Sequence, residues 1–346
     1  MTLRSIISRL LAAVAITVGL VACDVHQLPE GEEIVNLTLT LNFDTVMPLY
    51  KEVQYNTKSG DIGDIKVRHT IKYFASTGVT GSWRGDPEIT QVIESDQIRQ
   101  ETVKVVLEPI MYNILVWSEF IDAQGNSLYY DSADFRSVEL IHPDYGCDDA
   151  KDTFRGGLEL NLSLVKETNA YVDASIDMER AVAKYSLVST DRDEFVDMYI
   201  NRLKERAISS GQGPIDINPE DVDLSVFKVQ FIYTGYLPDT FNNFVNRPVD
   251  SRTGVAFESH LRETSEKELE LGFDYMLAKE GDESAVSLQI RVLDDMGDII
   301  SIVNHMDVPM MRGMLTIMKG KFLTSGAASG ISINPGFDGE FNLILP

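Results

Sequence analysis

From residue 35 the chain alternates without a break. Val35, Leu37, Leu39, Leu41 and Phe43 fall on one side, and Asn36, Thr38, Thr40 and Asn42 on the other. A period of two over nine residues predicts a half-buried β-strand. Shorter runs of the same style predict strands over 67–74, 102–108, 112–120, 128–130 and 158–164 in the first half. The second half predicts them over 181–188, 224–234, 267–276, 285–293, 299–303, 314–323 and 341–345. Many short strands separated by turn residues predict β-sandwiches. One segment breaks the pattern. Phe195, Met198, Tyr199 and Leu203 recur at helical spacing, and the run 211–214 (Gly-Gln-Gly-Pro) ends it. Asp191, with Glu194 three positions on, has the form of a capping box, so a helix is predicted over about 191–209. The turns 122–126 (Asp-Ala-Gln-Gly-Asn) and 294–298 (Asp-Asp-Met-Gly-Asp) have similar patterns, with glycines 172 residues apart. That spacing hints at two β-units of similar topology. Their boundary is expected near 166–171, giving units over 34–166 and 167–346.

The amino terminus follows a different logic. Arg4 and Arg9 precede an apolar run over 10–22, much shorter than the roughly 20 residues a membrane-spanning helix needs. It reads as a cleavable leader over 1–22. The run closes with Leu20, Val21, Ala22 and Cys23, which resembles the lipobox of bacterial lipoproteins, where the cysteine is acylated and the leader is cut just before it. Acyl chains add about 0.8 kcal/mol of membrane affinity per buried methylene. Cys23 is therefore the expected lipid anchor, and 23–33, carrying Pro29, Gly31 and four acidic residues, a short tether. Cys147 would then be a free thiol.

Composition narrows the function classes. With 54 acidic against 30 basic residues and a net charge of -24, nucleic acid is not an expected partner, because phosphate binding needs clustered Lys and Arg. The five histidines lack ligand spacing, and no zinc, nucleotide or nucleophile-elbow motif occurs. The reading is non-enzymatic, with no catalytic residue, cofactor or metal site. Asp144, Asp148, Asp149 and Asp152 around Cys147 have the composition of a calcium loop without its order, and a solvated acidic loop is the expectation. Trp83, Trp117, Tyr129 and Tyr130 are of the type that stacks on sugar rings. Trp117 sits in an alternating strand and is expected in the core. Trp83, in the predicted loop 81–85, is the weak candidate for ligand binding.

Several stretches together resemble the fimbrillin-like lipoproteins of Bacteroidales: 112–117 (Tyr-Asn-Ile-Leu-Val-Trp), 131–138, 148–154 (Asp-Asp-Ala-Lys-Asp-Thr-Phe), 178–185 (Met-Glu-Arg-Ala-Val-Ala-Lys-Tyr), 312–324 and 331–337. The chain departs from the pattern at Ala181, where many relatives have proline. The resemblance implies two tandem transthyretin-like Greek-key β-sandwich domains, mostly β, with the helix inserted in the second. It implies a lipoprotein of the outer membrane, exposed at the surface, that acts in adhesion or pilus assembly. In such proteins a protease cuts after a basic residue, an amino-terminal strand leaves, and a neighbour's strand fills the groove by β-augmentation. Val35, Leu37, Leu39, Leu41 and Phe43 have the pattern of that removable strand. No Arg or Lys lies between Cys23 and Lys51, so a cut would fall at Lys51, Lys58 or later. This favours a pilus anchor or accessory subunit that keeps its lipid, with the membrane and fimbrial subunits as partners. The alternative is a non-polymerising surface lipoprotein that binds glycan or a host protein.

Overall fold

The computed structural model describes residues 34–47, 49–51, 65–79, 81–165, 167 and 169–324. The leader, Cys23, the tether and the strand expected over 341–345 lie outside the described residues. The first part of the chain forms β1 (Val35–Phe43), β2 (Leu49–Lys51), β3 (Lys66–Ala75), β4 (Ile89–Ser95), β5 (Glu101–Leu107), β6 (Met111–Ile121), β7 (Tyr130–Asp131), β8 (Val138–Leu140), β9 (Phe154–Asn161) and β10 (Ala170–Arg180). The second forms β11 (Val182–Ser189), helix α1 (Arg192–Ser209), β12 (Lys228–Tyr233), β13 (Leu237–Asn242), β14 (Arg247–Arg252) and β15 (Ala256–His260). It continues with β16 (Arg262–Ser265), β17 (Glu268–Leu277), β18 (Ser284–Leu293), β19 (Ile299–Met310) and β20 (Leu315–Gly320). The protein is mostly β, of sandwich type, with one α-helix among the described residues.

The strands run β4-β3-β6-β9-β10-β1-β5 in one continuous sheet that folds over itself. The fold occurs at β10, where 170–178 pair with β1 while Glu179 and Arg180 pair with β9. The layer β5-β1-β10 thereby faces β3-β6-β9, and their inward residues form one apolar core. Gly156 on β9 is where the layers approach most closely. A Cβ there would stand 2.4 Å from Ile176 Cγ2 and 2.5 Å from Met178 Sδ. Gly156→Ala is therefore expected to destabilise by about 1–3 kcal/mol, the usual range for overpacking, measured by urea denaturation.

A second core lies between the sheets β16-β17-β11-β20-β2 and β15-β12-β18-β19. The apolar stripe of α1 packs on it as expected: Phe195 and Tyr199 are buried, edge-on to Phe227 at 5.0 and 4.8 Å. The capping box does not form. The buried Asp191 makes no side-chain cap bond; it accepts instead from Thr324 N at 2.8 Å and Thr324 Oγ1 at 2.6 Å. Glu194 pairs with Lys321. The carboxylate is drawn away because the segment 322–324, just after β20, passes the corner before α1 and supplies the donors.

The two similar turns do share one geometry. Asp122 Oδ1 accepts from the N–H of Gln124 and Asn126, and Asp294 Oδ1 from those of Met296 and Asp298. Gly125 and Gly297 take φ of 85° and 84°, which only glycine adopts without strain. The expected boundary near 166–171 overlaps the start of β10, whose residues 170–180 lie in the first sheet. Conversely, β2 pairs with β20, and β8 with β13. A third, aromatic-rich cluster joins the halves, including Phe74, Trp117, Tyr130, Phe241 and Tyr275.

Candidate functional site

β1 occupies a groove between two strands. It runs parallel to β10 from Val35↔Ala170 to Phe43↔Met178, and antiparallel to β5 from Val35↔Leu107 to Leu41↔Glu101. The alternation then decides where each side chain goes. Val35, Leu37, Leu39 and Leu41 are at most 1% exposed, while Asn36, Thr38 and Thr40 face outward and are half-buried. Burying four such side chains contributes roughly 6–12 kcal/mol as an upper bound. Phe43 is only partly covered, with its ring 5.3 Å from His69 and 5.5 Å from Phe154.

Polar contacts fix the register at the same end. Asn42 Nδ2 donates to Asp177 Oδ1 at 3.0 Å, and Gln100 Nε2 to Asn42 Oδ1 at 2.7 Å. Beyond Phe43 the chain is held by Arg180. Its Nη2 donates to the Thr45 carbonyl at 2.8 Å and its Nη1 to that of Val46 at 3.2 Å, while Nε donates to Asp152 at 2.9 Å. The guanidinium also lies 4.8 Å from the Phe154 ring centroid. One arginine thus latches the exit of β1 to the segment before β9. Burial pushes the Asp152 carboxyl up to about 6, against the pull of Arg180.

His69, under Phe43, is fully buried between Ser118 and Ser95. Burial pushes it down to about 4, opposed by Glu101. Between pH 6.5 and 4 the unfolded imidazole binds a proton that the folded one refuses, so this residue removes stability as pH falls through that window. Asp152 acts oppositely, favouring the fold as pH falls from 6 toward its ordinary range. His69→Gln is expected to shift acid stability upward relative to the parent, with little change above pH 7. Denaturation midpoints at pH 7 and pH 4.5 check this; an equal change at both would contradict it.

The other candidates lie elsewhere. Trp83 is half-buried and packs against the aromatic cluster between the halves, whereas β1 belongs to the first core. The structure does not bring the two together. Trp117, Tyr129 and Tyr130 are buried in that same cluster, Trp117 completely. Asp144 is exposed as expected of a solvated loop, but Asp148, Asp149 and Asp152 are not. Asp149 accepts from Lys184 Nζ and Tyr275 OH at 2.7 Å each, Asp148 caps the turn at Ala150, and Asp152 holds Arg180. Asp149 joins the halves, while Asp148 and Asp152 are spent within the first. Cys147 is the free cysteine among the described residues, at φ 59°, and burial pushes its thiol up to about 11.

Nothing in the sequence patterns points to Arg180 or His69, and Asp152 stands out only as part of an acidic loop. β10, absent from the expected strands, does carry a signal: Ala170, Val172, Ala174, Ile176 and Met178 alternate with polar residues.

Residues 30–346 match the model of a family described as a family of unknown function, DUF6562. No curated protein matches the sequence. Among solved structures, the chain is similar to the fimbrial anchor protein Mfa2 of Porphyromonas gingivalis, at 11% identity over 78% of this chain and 82% of that one, with a TM-score of 0.37. It is similar to the tip fimbrial protein Mfa3 of the same organism, in a form with C-terminal truncation, at 12% identity over 80% and 81%, TM-score 0.37. A fimbrial assembly protein of Parabacteroides distasonis matches at 11% identity over 82% and 90%, TM-score 0.33. Likeness at that level leaves the function to be argued from the chain's own residues.

Proposed function

We propose, starting from a chain that belongs to the DUF6562 family of unknown function, that it is a fimbrillin-like surface protein held to the outer membrane through a lipid on Cys23. Its role is that of a pilus anchor or accessory subunit which keeps its own first strand. The observation that carries this reading is the seating of β1. A strand paired on both sides, with four side chains withdrawn from water and its exit held by Arg180, completes its own sandwich. A subunit that must receive a neighbour's strand needs that groove emptied, and no Arg or Lys between Cys23 and Lys51 offers a cut before β1 has ended. A self-complemented, lipid-bound unit suits the end of a polymer better than its shaft. Cys23→Ala is expected to abolish fatty-acid labelling and to release the protein, with any fimbriae it holds, into the medium. Electron microscopy of the variant cells checks it. Unchanged labelling and a normal complement of attached fimbriae would contradict the proposal.

A further inference from the structure

Lys151 and Asp274 form the most deeply buried ion pair among the described residues, with side chains 1% and 0% exposed and Nζ 2.5 Å from Oδ1. Lys151 ends the 3₁₀ turn Asp149–Lys151, in the connection between β8 and β9, while Asp274 lies in the middle of β17. The surroundings leave little room for water. The Tyr129 ring lies 5.9 Å from Nζ, and Tyr130, Tyr185 and Tyr233 are all buried. Each polar atom is aimed. Nζ donates to the Tyr145 carbonyl at 2.9 Å, Asp274 Oδ1 accepts from Tyr275 N at 2.8 Å, and Oδ2 accepts from Tyr233 OH at 2.7 Å. Tyr233 OH in turn meets Tyr185 OH at 2.9 Å.

We propose that Lys151 and Asp274 are joined by an intramolecular isopeptide bond, which staples the β8–β9 connection to β17 and so links the two halves covalently. Two full charges out of water are costly, and transfer of one proton from the ammonium to the carboxylate removes both. Burial favours the neutral acid, pushing Asp274 above the usual carboxylate range against the pull of Lys151. The neutral amine then holds its lone pair beside Cγ, one bond beyond the oxygen it already touches. Such fixed geometry replaces a bimolecular encounter and lowers the barrier accordingly. The Nζ–Cγ bond forms while Tyr233, backed by Tyr185, hydrogen-bonds Oδ2. The Cγ–Oδ2 bond breaks and Oδ2 departs as water with two protons, one delivered by the Tyr233 hydroxyl and one from nitrogen, while the proton first taken by Oδ1 returns to Tyr233. Oδ1 stays as the amide oxygen, still receiving the Tyr275 N–H. Nothing is oxidised or reduced, and no other reactant enters. The staple would carry tension between the halves of a surface-anchored protein without relying on their packing.

Tryptic peptide mapping of the full-length protein tests this. The expected result is a branched peptide joining 137–155 to 268–279, lighter by one water than its two parts, with trypsin unable to cut after Lys151. In Lys151→Arg the two peptides are expected separately, the first cut after residue 151. Recovery of 137–151 and 268–279 unlinked from the parent protein would overturn the proposal. Loss of water confined to 268–279, with normal cutting after Lys151, would overturn it equally, since that signals cyclisation of Asp274 alone.

Discussion

Leu39→Asp is expected to unfold the first sandwich. Leu39 is fully buried at the centre of β1, paired with Ala174 on one side and Val103 on the other. Truncation of such a leucine alone costs about 2–5 kcal/mol. A carboxylate adds the penalty of a buried charge without a partner, since its neighbours in the groove are Val, Leu and Ile side chains. Set against the 5–15 kcal/mol that typically stabilises a whole domain, the sum leaves β1 unable to hold its place. Hydrogen exchange is expected to show lost protection along 101–107 and 170–178, the two strands it bridges. A synthetic peptide of residues 34–44 is expected to restore protection in the variant and to leave the parent protein unaltered. Wild-type protection in Leu39→Asp would contradict the account of the groove.

Arg180→Ala is expected to cost about 3–5 kcal/mol near neutral pH. Removing one partner of a buried pair leaves the other charge uncompensated, and here Asp152 keeps only 11% side-chain exposure. The variant also frees the carbonyls of Thr45 and Val46, so protection just after β1 is expected to fall. The pH dependence separates the two contributions. Burial already raises the Asp152 carboxyl to about 6 with Arg180 present, and without that cation it rises further. The acid form needs no cation, so the destabilisation is expected to shrink as pH falls below that range. Denaturation of parent and variant at pH 7.5 and pH 5 measures this. A cost independent of pH would show that Arg180 acts through its chain packing on Phe154 and not through Asp152.

How much of this was legible in the sequence follows the range of each interaction. β1 and the face of α1 declared themselves because a local period is enough to say which side is buried, whatever the partner. β10 carried the same period, yet the boundary expected near 166–171 overlapped its start. Short, bulged strands such as β13 and β14, whose pairing shifts register twice, leave no clean alternation to read. The acidic stretch 148–152 was misjudged for a different reason. Its charge count is that of a solvated loop, and the groups that satisfy its carboxylates, Arg180, Lys184 and Tyr275, are remote in the chain. Arg180 likewise reaches carbonyls more than 130 residues away. Asp191 had every local mark of a helix cap, but tertiary burial gave its carboxylate to Thr324.

Mass spectrometry of the protein as extracted from whole cells tests the central claim most directly. The account predicts a chain that begins at an acylated Cys23 and continues unbroken through Val35–Phe43 into the rest of the protein. A mature chain that starts after Lys51 or Lys58, with its first strand gone, would contradict it.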